Sequence, residues 1–210
     1  MLVFRQYKKQ YNNELVIEIE YLALDSGLYW LLGDNGSGKS TLLKCIGGLI
    51  PYNGDISFQG ISNKKKSKQF FRKIVNYAEA EPQYPEFLRG KDLIEFYKKT
   101  KGATNEQVGY LLDKLEVKPF ASGKIGEYSS GMIKKLSLAL AFIGNPRLIL
   151  LDEPLITLDV HATVSILQLI TEYATKGVSV VFSSHQEFGI SNGANLKKLF
   201  ISNQHLEAIL

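Results

Sequence analysis

Cysteine and long apolar runs are scarce in this sequence, and each scarcity excludes a class of protein. The one cysteine, Cys45, cannot form an internal disulfide, which favours a reducing compartment and a role as a small core residue. No apolar run reaches the roughly 18–20 residues that span a bilayer. The first residues lack the charged-then-apolar order of a secretory signal. A cytoplasmic protein is therefore expected.

Charge is also modest. The formal net charge of +4 in 210 residues does not call for a nucleic-acid partner. The basic segment at residues 64–73 is interpreted as a solvated loop, and contact with anionic lipid headgroups is the alternative. The length suits one domain over residues 1–210, with a sizeable core.

Hydrophobic periodicity predicts strands that alternate with helices. Strands are predicted at residues 15–20, 28–32, 55–60, 148–151 and 178–183, and helices at residues 40–46, 91–100, 106–115 and 131–143. Such alternation predicts an α/β fold with a mainly parallel sheet and helices on both faces. The early strands look antiparallel and the middle of the chain is rich in helices, so both are expected to be additions to that sheet.

A complete phosphate-binding motif follows the strand predicted at residues 28–32. Residues 33–40 read GDNGSGKS and match G-x-x-x-x-G-K-[S/T] between a strand and a helix. The glycines let successive backbone N–H groups point at a phosphate, and the helix directs the positive end of its dipole there. Lys39 is expected to hold the β- and γ-phosphates of ATP, and the Ser40 hydroxyl to ligate Mg²⁺. The predicted nucleotide-binding residues are Gly33, Asp34, Asn35, Gly36, Ser37, Gly38, Lys39, Ser40 and Thr41.

Two carboxylates follow the apolar strand predicted at residues 148–151. Asp152 and Glu153 are expected at the carboxyl edge of the sheet, where ligands of α/β proteins bind. Asp152 is predicted to hold Mg²⁺, directly or through water, and Glu153 to act as the general base on the attacking water. By itself the sequence Asp-Glu-Pro is equally consistent with an ordinary turn, and the phosphate-binding motif is what favours the functional interpretation.

Four further segments resemble those of ABC transporter ATP-binding subunits. Residues 128–132, YSSGM, resemble the family's signature motif, usually LSGGQ, with Ser129 and Gly131 matching. Asp159 stands where the family's D-loop lies, and His185 resembles the switch histidine that contacts the γ-phosphate and is grouped with Lys39 and Glu153 as catalytic. Tyr11 resembles the aromatic residue that stacks on adenine, and Tyr7 is a poorer fit. Alone, a serine before a helix is more often an ordinary N-cap.

The resemblance covers nearly the whole chain and carries expectations about assembly. It implies an antiparallel β-subdomain and a helical subdomain, at about residues 86–145, added to an ATPase core. Two such subunits, identical or different, would bury ATP head to tail, so that Ser129 and Gly131 act on the partner's nucleotide and Asp159 lines the interface. A separate transmembrane permease would contact the helical subdomain and residues 84–87, placing the protein on the inner face of the cell membrane. The signature sequence is more similar to bacterial export-type subunits.

Three alternatives to a transporter subunit share some of these features. A soluble ABC-type ATPase of DNA repair or chromosome organisation usually carries long coiled coils between the two motifs, and no sustained heptads occur there. A translation-type protein normally holds two cassettes in one chain. A non-catalytic nucleotide-binding module is consistent with the imperfect signature, whereas Glu153 and His185 favour hydrolysis.

One position departs from the family's pattern. Ala80 occupies the place where the family normally has a glutamine that reaches Mg²⁺ and the attacking water. Alanine has no polar side chain with which to do either. Glu79 or Glu81 is expected to substitute, because a carboxylate can bind Mg²⁺.

Alanine variants test whether Glu79 or Glu81 takes over the role of the missing glutamine. Glu79→Ala or Glu81→Ala is expected to lower ATP turnover and to raise the Mg²⁺ concentration needed for half-maximal rate, since the metal would lose a carboxylate. The measurement is steady-state phosphate release across a Mg²⁺ titration. Unchanged turnover and unchanged Mg²⁺ dependence in both variants would reject the idea.

Overall fold

The computed structural model describes residues 1–64, 67–184 and 195–209. Within these ranges the strands are β1 (Leu2–Tyr11), β2 (Glu14–Leu24), β3 (Leu28–Gly33), β4 (Asn53–Phe58), β5 (Ile61–Ser62), β6 (Val75–Ala78), β7 (Leu148–Leu151), β8 (Ser179–Ser183), β9 (Leu196–Ser202) and β10 (His205–Ile209). The helices are α1 (Lys39–Ile46), α2 (Lys68–Ile74), α3 (Gly90–Lys101), α4 (Asn105–Lys114), α5 (Ser130–Phe142) and α6 (Val160–Thr175). A short 3-10 helix, Ile125–Glu127, precedes α5.

The strands form one sheet in the order β5-β4-β1-β2-β10-β9-β3-β8-β7-β6. From β9 to β6 every neighbouring pair is parallel. At the other end β2, β1, β4 and β5 are antiparallel, and β10 joins the two parts by pairing with β9 and β2. The predicted α/β fold with a mainly parallel core and an antiparallel addition is confirmed.

The parallel strands are apolar because both of their faces are covered. In β7, Ile149 and Leu151 belong to one hydrophobic cluster, which α4, α5 and α6 cover. Leu148 and Leu150 face the opposite cluster, which contains residues of α1, β1 and β2. This alternation follows from the two-residue period of a strand. Each fully buried leucine or isoleucine contributes on the order of 1.5–3 kcal/mol to stability.

The middle of the chain forms a group of three helices, α3 to α5. Gly102 ends α3 in the left-handed conformation, with a φ of 68°, which glycine adopts without steric cost. The Thr104 hydroxyl then caps α4 by accepting a hydrogen bond from the backbone N–H of Gln107 at 3.2 Å. The predicted helices agree with α1, α3, α4 and α5 to within one residue at each end.

Two predictions require correction. The strand predicted at residues 55–60 ends at Phe58, because Gln59 and Gly60 take positive φ values of 51° and 78° and turn the chain into β5. The loop interpretation of residues 64–73 is wrong from Lys68 onward, where α2 forms and buries Phe71. Lys65 and Lys66 lie outside the described residues.

Candidate active site

The segment between β3 and α1 has the backbone of a phosphate cradle. Gly33, Gly36 and Gly38 have φ values of 149°, 80° and 102°, in the region that favours glycine. A Cβ atom on Gly38 would also lie 2.8 Å from Val16 Cγ1, so the close packing of β2 excludes a larger residue. The first turn of α1 contains no acidic residue, and its N–H groups have no intrahelical acceptors. This helix start is therefore suited to bind an anion.

Lys39 places its ammonium within that cradle. Its Nζ donates hydrogen bonds to the carbonyl oxygens of Gly33 at 2.7 Å and Asp34 at 3.0 Å. Burial lowers the pKa of Lys39, and the carboxylates of Glu153 and Asp152 oppose that shift. A bound phosphate would offer the ammonium a negatively charged acceptor in place of the two neutral carbonyls.

Ser183, at the end of β8, organises the two carboxylate residues. Its buried hydroxyl donates a hydrogen bond to Asp152 Oδ1 at 2.7 Å. The Ser183 hydroxyl oxygen also accepts a hydrogen bond from the backbone N–H of Glu153 at 2.9 Å. Asp152 is itself buried, and the Tyr77 hydroxyl donates to its other oxygen at 3.4 Å. The hydroxyl thus ties the end of β7 to the end of β8.

Glu153 has a strained backbone. Its φ is 43°, in the left-handed region that a glutamate adopts only at a cost of about 1–3 kcal/mol. Such strain persists where the surroundings over-determine the conformation. Here the hydrogen bond to Ser183 and the following Pro154 restrain the residue, which is consistent with a functional requirement on its direction.

The residues present fit a magnesium ion. Ser40 is exposed in the first turn of α1, and Asp152 offers a buried carboxylate. Mg²⁺ is usually held by one or two carboxylates together with substrate phosphates. In the described part of the chain no cluster of three acidic, histidine or cysteine side chains is suited to a metal. The ligand roles of Ser40 and Asp152 stay predictions.

A second region surrounds the signature segment. The Ser129 hydroxyl caps α5 by accepting a hydrogen bond from Met132 N at 3.2 Å, and a Cβ atom on Gly131 would lie 3.2 Å from the Thr157 carbonyl oxygen. Lys135 pairs with Asp159 at 2.8 Å and lowers the pKa of that carboxyl.

This region borders an open cavity of about 470 Å³ with a lining that includes Ser129, Gly131, Met132, Lys135, Thr157 and Asp159. As far as the structure describes the chain, that lining contains no residue of the phosphate-binding segment. The phosphate cradle of the same chain thus does not line the cavity that the signature residues line.

The two tyrosines considered for adenine occupy different environments. Tyr7 is fully buried, with its ring 5.8 Å from that of Phe4 and 5.3 Å from that of Tyr52. Tyr11 is 49% exposed, and the ammonium of Lys9 lies 4.1 Å from its ring centroid. Only an exposed ring can stack on a base, so the structure favours Tyr11.

Residues 79–81, which follow β6, have different contacts and exposure. Glu79 pairs with Lys44 of α1 at 3.6 Å, whereas Glu81 is exposed. The backbone carbonyls of Glu79 and Ala80 accept hydrogen bonds from Lys134 Nζ, each at 2.8 Å. The role of either glutamate toward Mg²⁺ stays a prediction.

Sequence reasoning missed Lys134 and the linking role of Ser183. A lysine that interrupts the apolar face of α5 was the available signal for Lys134. His185, predicted as the switch histidine, lies outside the described residues, so its role stays a prediction.

Comparison with known proteins gives the family. A family model described as ABC transporter matches residues 23–156. The chain is 29% identical over 187 residues to the lantibiotic transport ATP-binding protein SrtF of Streptococcus pyogenes, covering 88% of this chain and 80% of SrtF. It is 27% identical over 190 residues to the linearmycin resistance ATP-binding protein LnrL of Bacillus subtilis, covering 88% of this chain and 61% of LnrL.

Solved structures agree with the fold. One, described as the ATP-binding subunit of an ABC transporter, has a TM-score of 0.87 at 23% identity and covers 100% of this chain and 90% of its own. Another, the ATP-binding cassette MJ0796 in a dimeric post-hydrolysis state bound to ADP and Pi, has a TM-score of 0.84 at 20% identity, covering 100% and 99%. At these identities the likeness establishes the architecture.

The chain therefore belongs to the ABC transporter family, since the family model matches more than half of its residues. It is an ATP-binding subunit of that family and an ATPase. Among the described residues no helix is both long enough and apolar enough to cross a membrane.

The adenine contact can be tested at Tyr11. Tyr11→Ala is expected to weaken ATP binding about tenfold, because base–aromatic stacking contributes roughly 1–3 kcal/mol, whereas Tyr11→Phe keeps the ring and the affinity. Tyr21→Ala is the matched control, since Tyr21 is also exposed on the antiparallel strands. Titration with a fluorescent ATP analogue gives the affinities, and an unchanged Tyr11→Ala would reject the stacking role.

Proposed function

We propose that this chain hydrolyses ATP with Mg²⁺ at a site shared by two copies or two related subunits. The observation that supports this proposal is that, among the described residues, none of the phosphate cradle lines the Ser129–Gly131 cavity. A helix N-terminus with a serine hydroxyl is suited to bind a phosphate, so the second cavity would receive the γ-phosphate of ATP held by the other subunit. Asp159 would then lie at the interface between them. The dimeric MJ0796 cassette supports such an arrangement.

The residues of one chain would divide the chemistry. The backbone N–H groups of the cradle and the Lys39 ammonium would hold the phosphates and oppose their charge. Ser40 and Asp152 would hold Mg²⁺, which neutralises charge on the transferred phosphoryl group. Glu153 would accept a proton from the attacking water, in the direction that Ser183 and its strained backbone impose.

A groove between α3 and the ATPase core is proposed to receive a membrane-spanning partner. Its volume is about 850 Å³, and Tyr84, which lies between β6 and α3, is among the residues that line it. Aromatic and aliphatic side chains at its rim include Phe96 and Leu49, which are 59% and 49% exposed. Its charged residues are Arg72, Lys73, Lys99, Lys101 and Glu79. This excess of cations predicts an amphipathic helix with acidic side chains on the partner.

The relatives support export over import. SrtF is named for lantibiotic transport and LnrL for linearmycin resistance, and a relative from Burkholderia thailandensis, 29% identical, is named for Nod factor export. We therefore propose an export-type subunit that associates with the inner face of the cell membrane through its permease.

Arrest of hydrolysis is expected to trap the dimer. Glu153→Gln should bind ATP–Mg²⁺, hydrolyse it at least about a hundredfold more slowly because the general base is lost, and form dimers in its presence. Size-exclusion chromatography with light scattering measures the mass. The Lys39→Ala/Glu153→Gln double variant is the control and should stay monomeric. A single variant that remains monomeric at saturating ATP–Mg²⁺ would contradict the shared site.

Charge reversal tests the groove. Arg72→Glu with Lys99→Glu is expected to reduce the membrane protein that co-purifies from native membranes about tenfold, since like charges across an interface are strongly unfavourable. Lys118→Glu, at an exposed lysine near the end of α4, is the control. ATP affinity of the purified chain should not change in either. Equal recovery of the membrane protein with both would reject the groove as the contact.

A further inference from the structure

Lys134 is a buried cation at the junction of three segments. It lies on α5, five positions after the Ser129 cap, and only 1% of it is exposed. Its Nζ donates hydrogen bonds to the carbonyl oxygens of Glu79 and Ala80, each at 2.8 Å, and of Asp152 at 3.1 Å. An ammonium has three donors, so each donor has one acceptor.

These acceptors lie where two paired strands separate. β6 and β7 are parallel neighbours, with Ala78 opposite Leu151, and the backbone N–H of Asp152 still donates to the Ala78 carbonyl at 2.9 Å. Beyond this point the chain after β6 runs toward α3, while the chain after β7 carries Glu153. Lys134 therefore joins the two chains just past the end of their own hydrogen bonding.

A charge at this position is costly in itself. Burial lowers the pKa of Lys134 to about 8, although the carboxylates of Asp152, Glu153 and Glu81 oppose the shift. A methionine would fill the same space without that penalty, and replacing buried charges by apolar residues is often neutral or stabilising. Packing alone thus gives no reason for a lysine, whereas the three directed hydrogen bonds do.

Lys134 binds the segment at Ala80 through its backbone. Alanine has no side-chain group that can reach the nucleotide site, yet its backbone carbonyl is bound by Lys134. The groove that includes Glu79 and Tyr84 adjoins the same segment, so movement of this segment would be passed through the ammonium to the Asp152 carbonyl.

We infer that Lys134 is a positioning residue for ATP hydrolysis. Its ammonium joins α5 and the segment at Ala80 to the end of β7, where Asp152 and Glu153 follow. This inference rests on the roles proposed above for those two carboxylates. It predicts that Lys134 affects the rate of hydrolysis and leaves nucleotide binding, which the cradle performs, nearly unchanged.

Three variants of the full chain test the inference. Lys134→Met removes the donors and keeps the packing, and its kcat is expected to fall about tenfold, equivalent to about 1.4 kcal/mol in the barrier. KM and the affinity for an ATP analogue should stay within about twofold of wild type, because the phosphate contacts are intact. Lys134→Arg, which keeps the charge and N–H donors, should recover at least about a third of the wild-type kcat. Lys118→Met is the control and should match wild type.

Several outcomes would overturn the inference. They are a lower melting temperature of Lys134→Met with unchanged kcat, a loss of affinity as large as the loss of kcat, and an arginine variant no better than the methionine one. If Lys134→Met fails to fold, Lys134→Gln replaces it, and a wild-type kcat there also overturns the inference. Glu153→Gln is assayed in parallel: persistent hydrolysis in that variant rejects the role of Glu153 and is thereby distinguished from a failure at Lys134.

Discussion

The parallel register of β3, β8, β7 and β6 is the constraint on which the rest of the site depends. Because these strands run the same way and are direct neighbours, their carboxyl ends meet at one edge of the sheet. The phosphate cradle leaves β3 there, Ser183 ends β8, and Asp152 and Glu153 follow β7. No one of these segments could assemble the site alone, and the ladder hydrogen bonds set their relative positions.

The core of the fold could be predicted because its signals are local. A short apolar run such as residues 148–151 indicates a buried strand without knowledge of its neighbours. The first strand, β1, was not predicted, because polar and charged residues interrupt its alternation and Gln6 bulges with a φ of 47°. Lys9 on this strand is buried, since its aliphatic part packs while Nζ reaches the Pro51 carbonyl at 2.9 Å. Tertiary contacts, which the sequence pattern does not contain, decide such cases.

The candidate site likewise combines residues that the sequence indicates with residues whose contacts only the fold reveals. The phosphate-binding motif is continuous in sequence and carries its own backbone requirements, so residues 33–40 could be assigned from spacing alone. Ser183 and Lys134 act through contacts with residues far away in the chain, 31 positions for Ser183 and Asp152. A lysine within the apolar face of α5 singles out Lys134, but the residue type and spacing of neither residue indicate which partner it contacts. The absent glutamine at Ala80 was visible in the sequence, whereas the lysine that binds the Ala80 carbonyl was visible only in the fold.

The central claim is that one chain supplies the phosphate cradle and another the Ser129–Gly131 segment of each site. Mixing two inactive variants tests it most directly: Lys39→Ala, which keeps the signature segment, and Ser129→Arg, which keeps the cradle. In a mixed dimer one site combines both intact halves, so random pairing restores about a quarter of wild-type ATP hydrolysis. If the cradle and signature segment act within the same chain, the mixture stays as inactive as its components, and the account is contradicted.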